Sequence, residues 1–137
     1  MKGRVFLDTN ILVYADDADA GTKREQARKI IEAALDKGNG VVSTQVLQEY
    51  FVVATRKLGL SATVAHEKVE LLATLAVVAI EVKHVLEAIK LHRLHKLSFW
   101  DCLILAGAKA AGCERLLSED LQHGRTIEGV KIENPFG

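Results

Sequence analysis

The sequence predicts an α/β domain, a three-layer α/β/α sandwich around a short, mainly parallel sheet. Two observations carry this. Short apolar runs alternate with helical patterns from one end of the chain to the other, which is how strands crossed over by helices read in sequence. One of those helices is apolar nearly all round and must lie against a sheet with other elements covering it. The 137 residues contain a single proline and no repeated or Ser/Gly-rich stretch, so residues 1–137 are expected to form one domain without a linker.

Arg4-Val5-Phe6-Leu7 reads as a buried first strand, broken by the polar trio Asp8-Thr9-Asn10, with a helical turn over Ile11 to Ala15. Thr22 to Lys37 is a helix: Thr22 and Glu25 have capping-box spacing, and Ala27, Ile30, Ile31, Ala34 and Leu35 recur on one face. Gly38-Asn39-Gly40 stops it. Val41-Val42-Ser43 is a second strand, followed by helices over Thr44 to Leu58 and Ser61 to Leu75. Val77 to Ile80 is a third strand and Lys83 to Lys96 a helix. Ser98 opens the apolar helix (Phe99, Trp100, Cys102 to Ala106, Ala108), which Gly112 ends. Arg115 to Ser118 is a fourth strand, and Val130-Lys131-Ile132 is expected as a short edge strand.

Eighteen acids balance eighteen bases, so a global basic field drawing in nucleic acid is excluded and any polyanion must be held by local patches or bound metal. Cys102 and Cys113 lack CxxC spacing and read as small buried hydrophobes. Lys2 and Arg4 precede too few apolar residues for a signal peptide, and no apolar run is long enough to span a membrane; a cytoplasmic location is expected.

In parallel sheets ligands bind beyond the carboxyl ends of the strands. Four acids fall there. Asp8 ends the first strand, Glu49 lies in the second turn after strand two, Asp101 in the first turn of the apolar helix, and Asp120 two residues after strand four. Each has an ordinary structural explanation: Asp8 as the cap of the next turn, Glu49 as a boundary residue, Asp101 as a helix-start acid beside the Ser98 cap, and Asp120 as the cap of Leu121-Gln122-His123. Together they form a crowded set of hard oxygen donors, whose repulsion is relieved by Mg²⁺ or Mn²⁺. Thr9, Asn10 and Ser118 are placed to orient the acids. Such a set suits phosphodiester hydrolysis by metal-activated water. There is no Walker loop, and no Gly-x-Ser-x-Gly or Cys/His pairing for covalent catalysis. His92 and His95, one turn apart in a basic run, read as a solvated face rather than a zinc site.

Val5-Phe6-Leu7-Asp8-Thr9-Asn10-Ile11-Leu12-Val13-Tyr14 resembles the first motif of PIN-domain nucleases, in particular their VapC-like toxin branch. Thr44 to Tyr50, Ser98 to Ile104 and Leu117 to Gly124 resemble the other three motifs in order, and Ile132 to Phe136 resembles a common ending. The resemblance implies a metal-dependent endoribonuclease with an α/β/α PIN-like fold. Asp8, Glu49, Asp101 and Asp120 would be its catalytic, metal-binding acids, with Asn10 and Ser118 supporting them. It also implies a homodimer and a small antitoxin partner that reaches into the acidic pocket. Glu119 is expected to point away. RNA contacts are not assigned: Arg56-Lys57, Lys90 to Lys96, and His123 with Arg125 are candidates only. The rival readings are a PIN-like binding module that does not cut, and a phosphatase of the haloacid-dehalogenase type. The latter is disfavoured because Asn10 stands where that chemistry needs a second aspartate.

Overall fold

The computed structural model describes residues 3–137, so Lys2 lies outside the described residues. Its strands are β1 (Val5–Leu7), β2 (Gly40–Ser43), β3 (Ala76–Val78), β4 (Arg115–Leu117), β5 (Thr126–Ile127) and β6 (Val130–Glu133). They form one sheet in the order β3-β2-β1-β4-β6-β5, parallel except for the β5–β6 pair. The helices are α1 (Thr9–Ala15), α2 (Thr22–Lys37), α3 (Thr44–Arg56), α4 (Ala62–Leu72), α5 (Val82–His95) and α6 (Phe99–Ala110). Among the described residues, no helix is long and apolar enough to cross a membrane.

The chain runs outward from β1 through β2 to β3, then returns across the sheet to β4. Right-handed crossovers therefore put the helices before β3 on one face and those after it on the other. Contacts agree: α1 packs on α2 and α3, α3 on α4, and α5 on α6. The expected three-layer sandwich is the one observed. β1 lies between β2 and β4, and every residue of β1 and β2 is buried, because both faces are covered by helices. Phe6 has no exposed surface; burial on that scale is worth about 1.5–3 kcal/mol for a large apolar side chain. Helix α6 is buried from Cys102 through Ala108, as its all-round apolar character requires.

Two local expectations are corrected. Thr22 does not cap α2. The cap position falls on Gly21, whose φ of 64° lets the chain turn into the helix one residue earlier, and no side chain caps the end. Glu25 is then one position too late for the capping box. Nor is Val130–Glu133 the sheet edge. It lies between β4 and β5, and the edge is the two-residue β5, too short to leave a periodic signal. Ile127 pairs with Val130 across a two-residue loop, Glu128-Gly129, with φ of 51° and 83°. Both being positive marks the primed hairpin turn, which usually takes Asn or Asp at its first position. Glu128 holds it here while its carboxylate meets Lys109 at 3.1 Å.

Candidate active site

The site forms where the strand order reverses, between the carboxyl ends of β1 and β4, the position at which open α/β sheets bind ligands. Leu7 and Leu117 are register partners, so the residues following them emerge side by side. Asp8 is 5% exposed and caps α1: its Oδ1 accepts from the Thr9 backbone N–H at 2.7 Å. Its Oδ2 accepts from the Ser118 hydroxyl at 2.6 Å. Capping and function are therefore not alternatives for Asp8, because the capping geometry is also what fixes its carboxylate.

The neighbouring acids are held by the same short segment. Thr9 Oγ1 donates to Glu49 Oε1 at 2.7 Å, and Asn10 Nδ2 donates to Asp120 Oδ2 at 3.1 Å. Ser118 Oγ also accepts from the Asp120 backbone N–H at 3.2 Å, and Asn10 Oδ1 accepts from that of Glu119 at 3.2 Å. The Ser98 hydroxyl caps α6 by accepting from the Asp101 backbone N–H at 3.1 Å. Asp8, Glu49, Asp101 and Asp120 all line one cavity of about 480 Å³, together with Thr9 and Asn10. Ser118 stands behind it, fully buried.

Burial pushes the Asp8 carboxyl up to about 6; hydrogen bonds from Ser118 and Thr9 oppose this, and the charges of Asp120 and Glu49 add to it. Among the described residues, no Lys, Arg or His lines the cavity. The acids therefore repel with no cation among those lining residues to offset them, and hard divalent cations suit such a donor set. Among the described residues, no three His, Cys, Asp or Glu side chains enclose an ion by themselves. That is compatible with Mg²⁺, which keeps several waters and takes only one or two carboxylates from a protein. The residues present thus fit the ion.

A PIN-domain family model matches residues 5–128. The chain belongs to the PIN-domain family. No curated protein matches it by sequence. Solved structures that resemble this PIN domain include a toxin–antitoxin complex from Klebsiella pneumoniae: TM-score 0.68, 23% identity, covering 96% of this chain and 97% of that one. The VapC20 toxin of Mycobacterium tuberculosis, described as cleaving the sarcin–ricin loop, gives TM-score 0.69 at 20% identity, covering 85% and 91%. VapBC2 from Rickettsia felis, bound to a promoter DNA fragment, gives 0.65 at 21%, covering 95% and 97%. At these identities the likeness establishes the fold.

Other sequence candidates fall elsewhere in this PIN domain. Glu119 points away from the acids: it pairs with Lys23 at 2.5 Å and accepts from the Tyr14 hydroxyl. Arg56, Lys57, His123 and Arg125 do not line the cavity, and Lys90 and Arg93 line a separate hollow with Leu94. His123 accepts from the Asn134 backbone N–H at 2.8 Å, and Arg125 donates to Gln122 at 3.1 Å. His92 lies 2.5 Å from the Leu97 carbonyl and His95 faces Glu128 at 3.5 Å, so the pair is not directed at a common ion. Cys102 and Cys113 are free and buried, and burial pushes the Cys113 thiol up to about 11.

Sequence reasoning missed the rest of the cavity wall. Gln45, Gln48, Val52 and Val53 line it from α3, and Trp100 and Ile104 from α6. The signal was present: 45, 48, 49, 52 and 53 share the 3.6-residue period with Glu49 on one helix face.

Proposed function

We propose that this PIN domain is a Mg²⁺- or Mn²⁺-dependent endoribonuclease, the toxin of a toxin–antitoxin pair, with a homodimeric assembly and a small antitoxin partner that blocks the acidic cavity. The observation that carries the nuclease reading is the one cavity lined by four carboxylates and, among the described residues, no cationic side chain. The toxin role rests on the solved structures of similar fold, several of which are toxin–antitoxin complexes.

Asp8 and Asp101 would hold the ion, with Glu49 beside them and Asp120 acting through water or once RNA is bound. A divalent ion bound there would polarise the phosphate and lower the pKa of a coordinated water. The protein's part is orientation. Ser118 and Thr9 fix both oxygens of Asp8, Thr9 aims Glu49, and Asn10 ties Asp120 to α1. Such supporting bonds are worth about 10- to 100-fold in metal affinity or activity. With no general base of its own in the cavity beyond the carboxylates, the chain works by placing a polarised water and a phosphate.

The test is cleavage of a mixed RNA pool in Mg²⁺ or Mn²⁺, with and without chelator, by the wild type and by Asp101→Asn. Metal-dependent cutting by the wild type and a loss of at least about 100-fold in the variant are expected, since metal ligands dominate such sites. Undiminished cutting by Asp101→Asn would overturn the site assignment. Binding of RNA without cutting in either metal would favour the binding-module reading.

A further inference from the structure

Trp100 is the chain's one tryptophan, and it is 63% exposed. A side chain of that size normally supplies core or interface area, and leaving it in water forgoes its burial. It is also held firmly. Trp100 sits in the first turn of α6, its ring meets Phe99 edge-on at 5.1 Å and 77°, and its backbone carbonyl accepts from Gln45 Nε2 at 3.3 Å. Gln45 is itself 6% exposed, so the bond comes from a buried side chain. Trp100 lines the same cavity as the four acids, immediately before Asp101 in sequence, and shares that cavity with the apolar Val52, Val53 and Ile104.

A cavity part carboxylate and part apolar-aromatic matches a nucleotide, which offers a phosphate to one kind of surface and a base to the other. Every base has a π-face, so an aromatic platform binds unpaired bases with little sequence preference. A platform on a helix start also keeps a fixed relation to its neighbouring acid.

We propose that Trp100 is a base-stacking platform, holding an unpaired RNA base next to the phosphodiester presented to the acids, with Gln45 as a positioning residue that anchors the Trp100 turn. The inference rests on the RNA-cleaving reading above.

Tryptophan emission reports on this residue alone. Asp8→Asn protein, which binds without cutting, is titrated with a short single-stranded oligoribonucleotide and with an abasic oligomer of equal length. Wild type, Trp100→Ala and Trp100→Phe are compared for cleavage of single-stranded RNA. Emission should respond to the base-bearing oligomer and hardly to the abasic one. Trp100→Ala should raise KM by about 10- to 100-fold, the size of one lost stack, with kcat changed far less, and Trp100→Phe should restore most of the loss. Equal responses to both oligomers, or an unchanged KM in folded Trp100→Ala, would overturn the proposal. So would an emission change that follows protein dilution without RNA, since a second copy would then cover the indole. Cleavage by a wild type whose Trp100 is inert defeats only the stacking platform. A base-dependent emission response without cleavage defeats only the nuclease reading, and absence of both defeats the two together.

Discussion

Replacing Asp8 with Asn should inactivate the protein and, in the absence of metal, make it more stable. The carboxyl is nearly fully buried and its pKa is raised from 3.8 to about 6, chiefly by that burial. A raised acid means the folded state holds the proton more tightly than the unfolded chain. Folding is then unpenalised below about pH 4, loses stability as pH rises from about 4 to 6, and carries the full cost above that. The displacement amounts to about 3 kcal/mol at pH 8. Asparagine removes that cost but cannot accept from both Thr9 and Ser118, and one strained or lost hydrogen bond returns about 1 kcal/mol. The net is about 2 kcal/mol in favour of the variant at pH 8, or a rise in Tm of about 6–8 °C for a chain of this size. At pH 4 most of the ionisation cost is gone, so the variant should there be slightly the less stable.

Urea or thermal unfolding of both proteins in chelator at pH 8 and pH 4 measures this directly. Adding Mn²⁺ should stabilise the wild type by mass action and leave the variant nearly unmoved. A variant less stable than wild type at pH 8 in chelator, or a gap that does not shrink towards pH 4, would refute the reasoning. Either result would mean that Asp8 is not a frustrated buried charge awaiting a cation.

Glu119→Ala removes the ties from the Ser118–Asp120 loop to Tyr14 and Lys23. It should lower kcat/KM about ten-fold through the placement of Asp120, and cost about 1 kcal/mol of stability because the ion pair is half-buried; steady-state kinetics and a melting curve separate the two. Gly40→Ala and Gly107→Ala should act in opposite directions. A Cβ at Gly40 would stand 2.7 Å from the Ala34 Cβ, an overlap costing about 1–3 kcal/mol, whereas at Gly107 it would meet Phe6 at an ordinary 3.6 Å. The second variant should therefore gain up to about 1 kcal/mol in helix propensity, and denaturant midpoints decide both.

The fold was readable because its cause is periodic. The strands before each helix are unbroken apolar runs, and a helix such as α6, apolar on every side, has few places to go. The four acids were readable because strand polarity converts four distant positions into one edge. What stayed hidden was set by single contacts rather than by period. Gly21 took the cap from Thr22 because one positive φ moved the helix start. The strand β5 became the edge because a two-residue loop folded Thr126–Ile127 back on β6, and two residues carry no pattern. Gln45 and Trp100 drew no functional reading because exposure and cavity lining arise only once α3 and α6 meet beyond the carboxyl ends of the strands.

The arrangement of the acids depends most on the register between β1 and β4. Asp8 donates its backbone N–H to the Leu117 carbonyl at 3.0 Å, and Ser118 donates its own to the Glu133 carbonyl at 3.0 Å on the next strand. These bonds extend the ladder by one rung past the last paired residues, Leu7 and Leu117. They place the carboxylate of Asp8 against the hydroxyl of Ser118. A slip of one residue would turn each of those side chains to the opposite face of the sheet. Asp8 would then leave the cavity, and Phe6 would exchange the helical layer it packs against for the opposite one in the same step. The burial of Val5-Phe6-Leu7 thus guards the register that the chemistry needs. Any substitution that weakens Phe6 packing is therefore expected to loosen the acid cluster before it unfolds the domain.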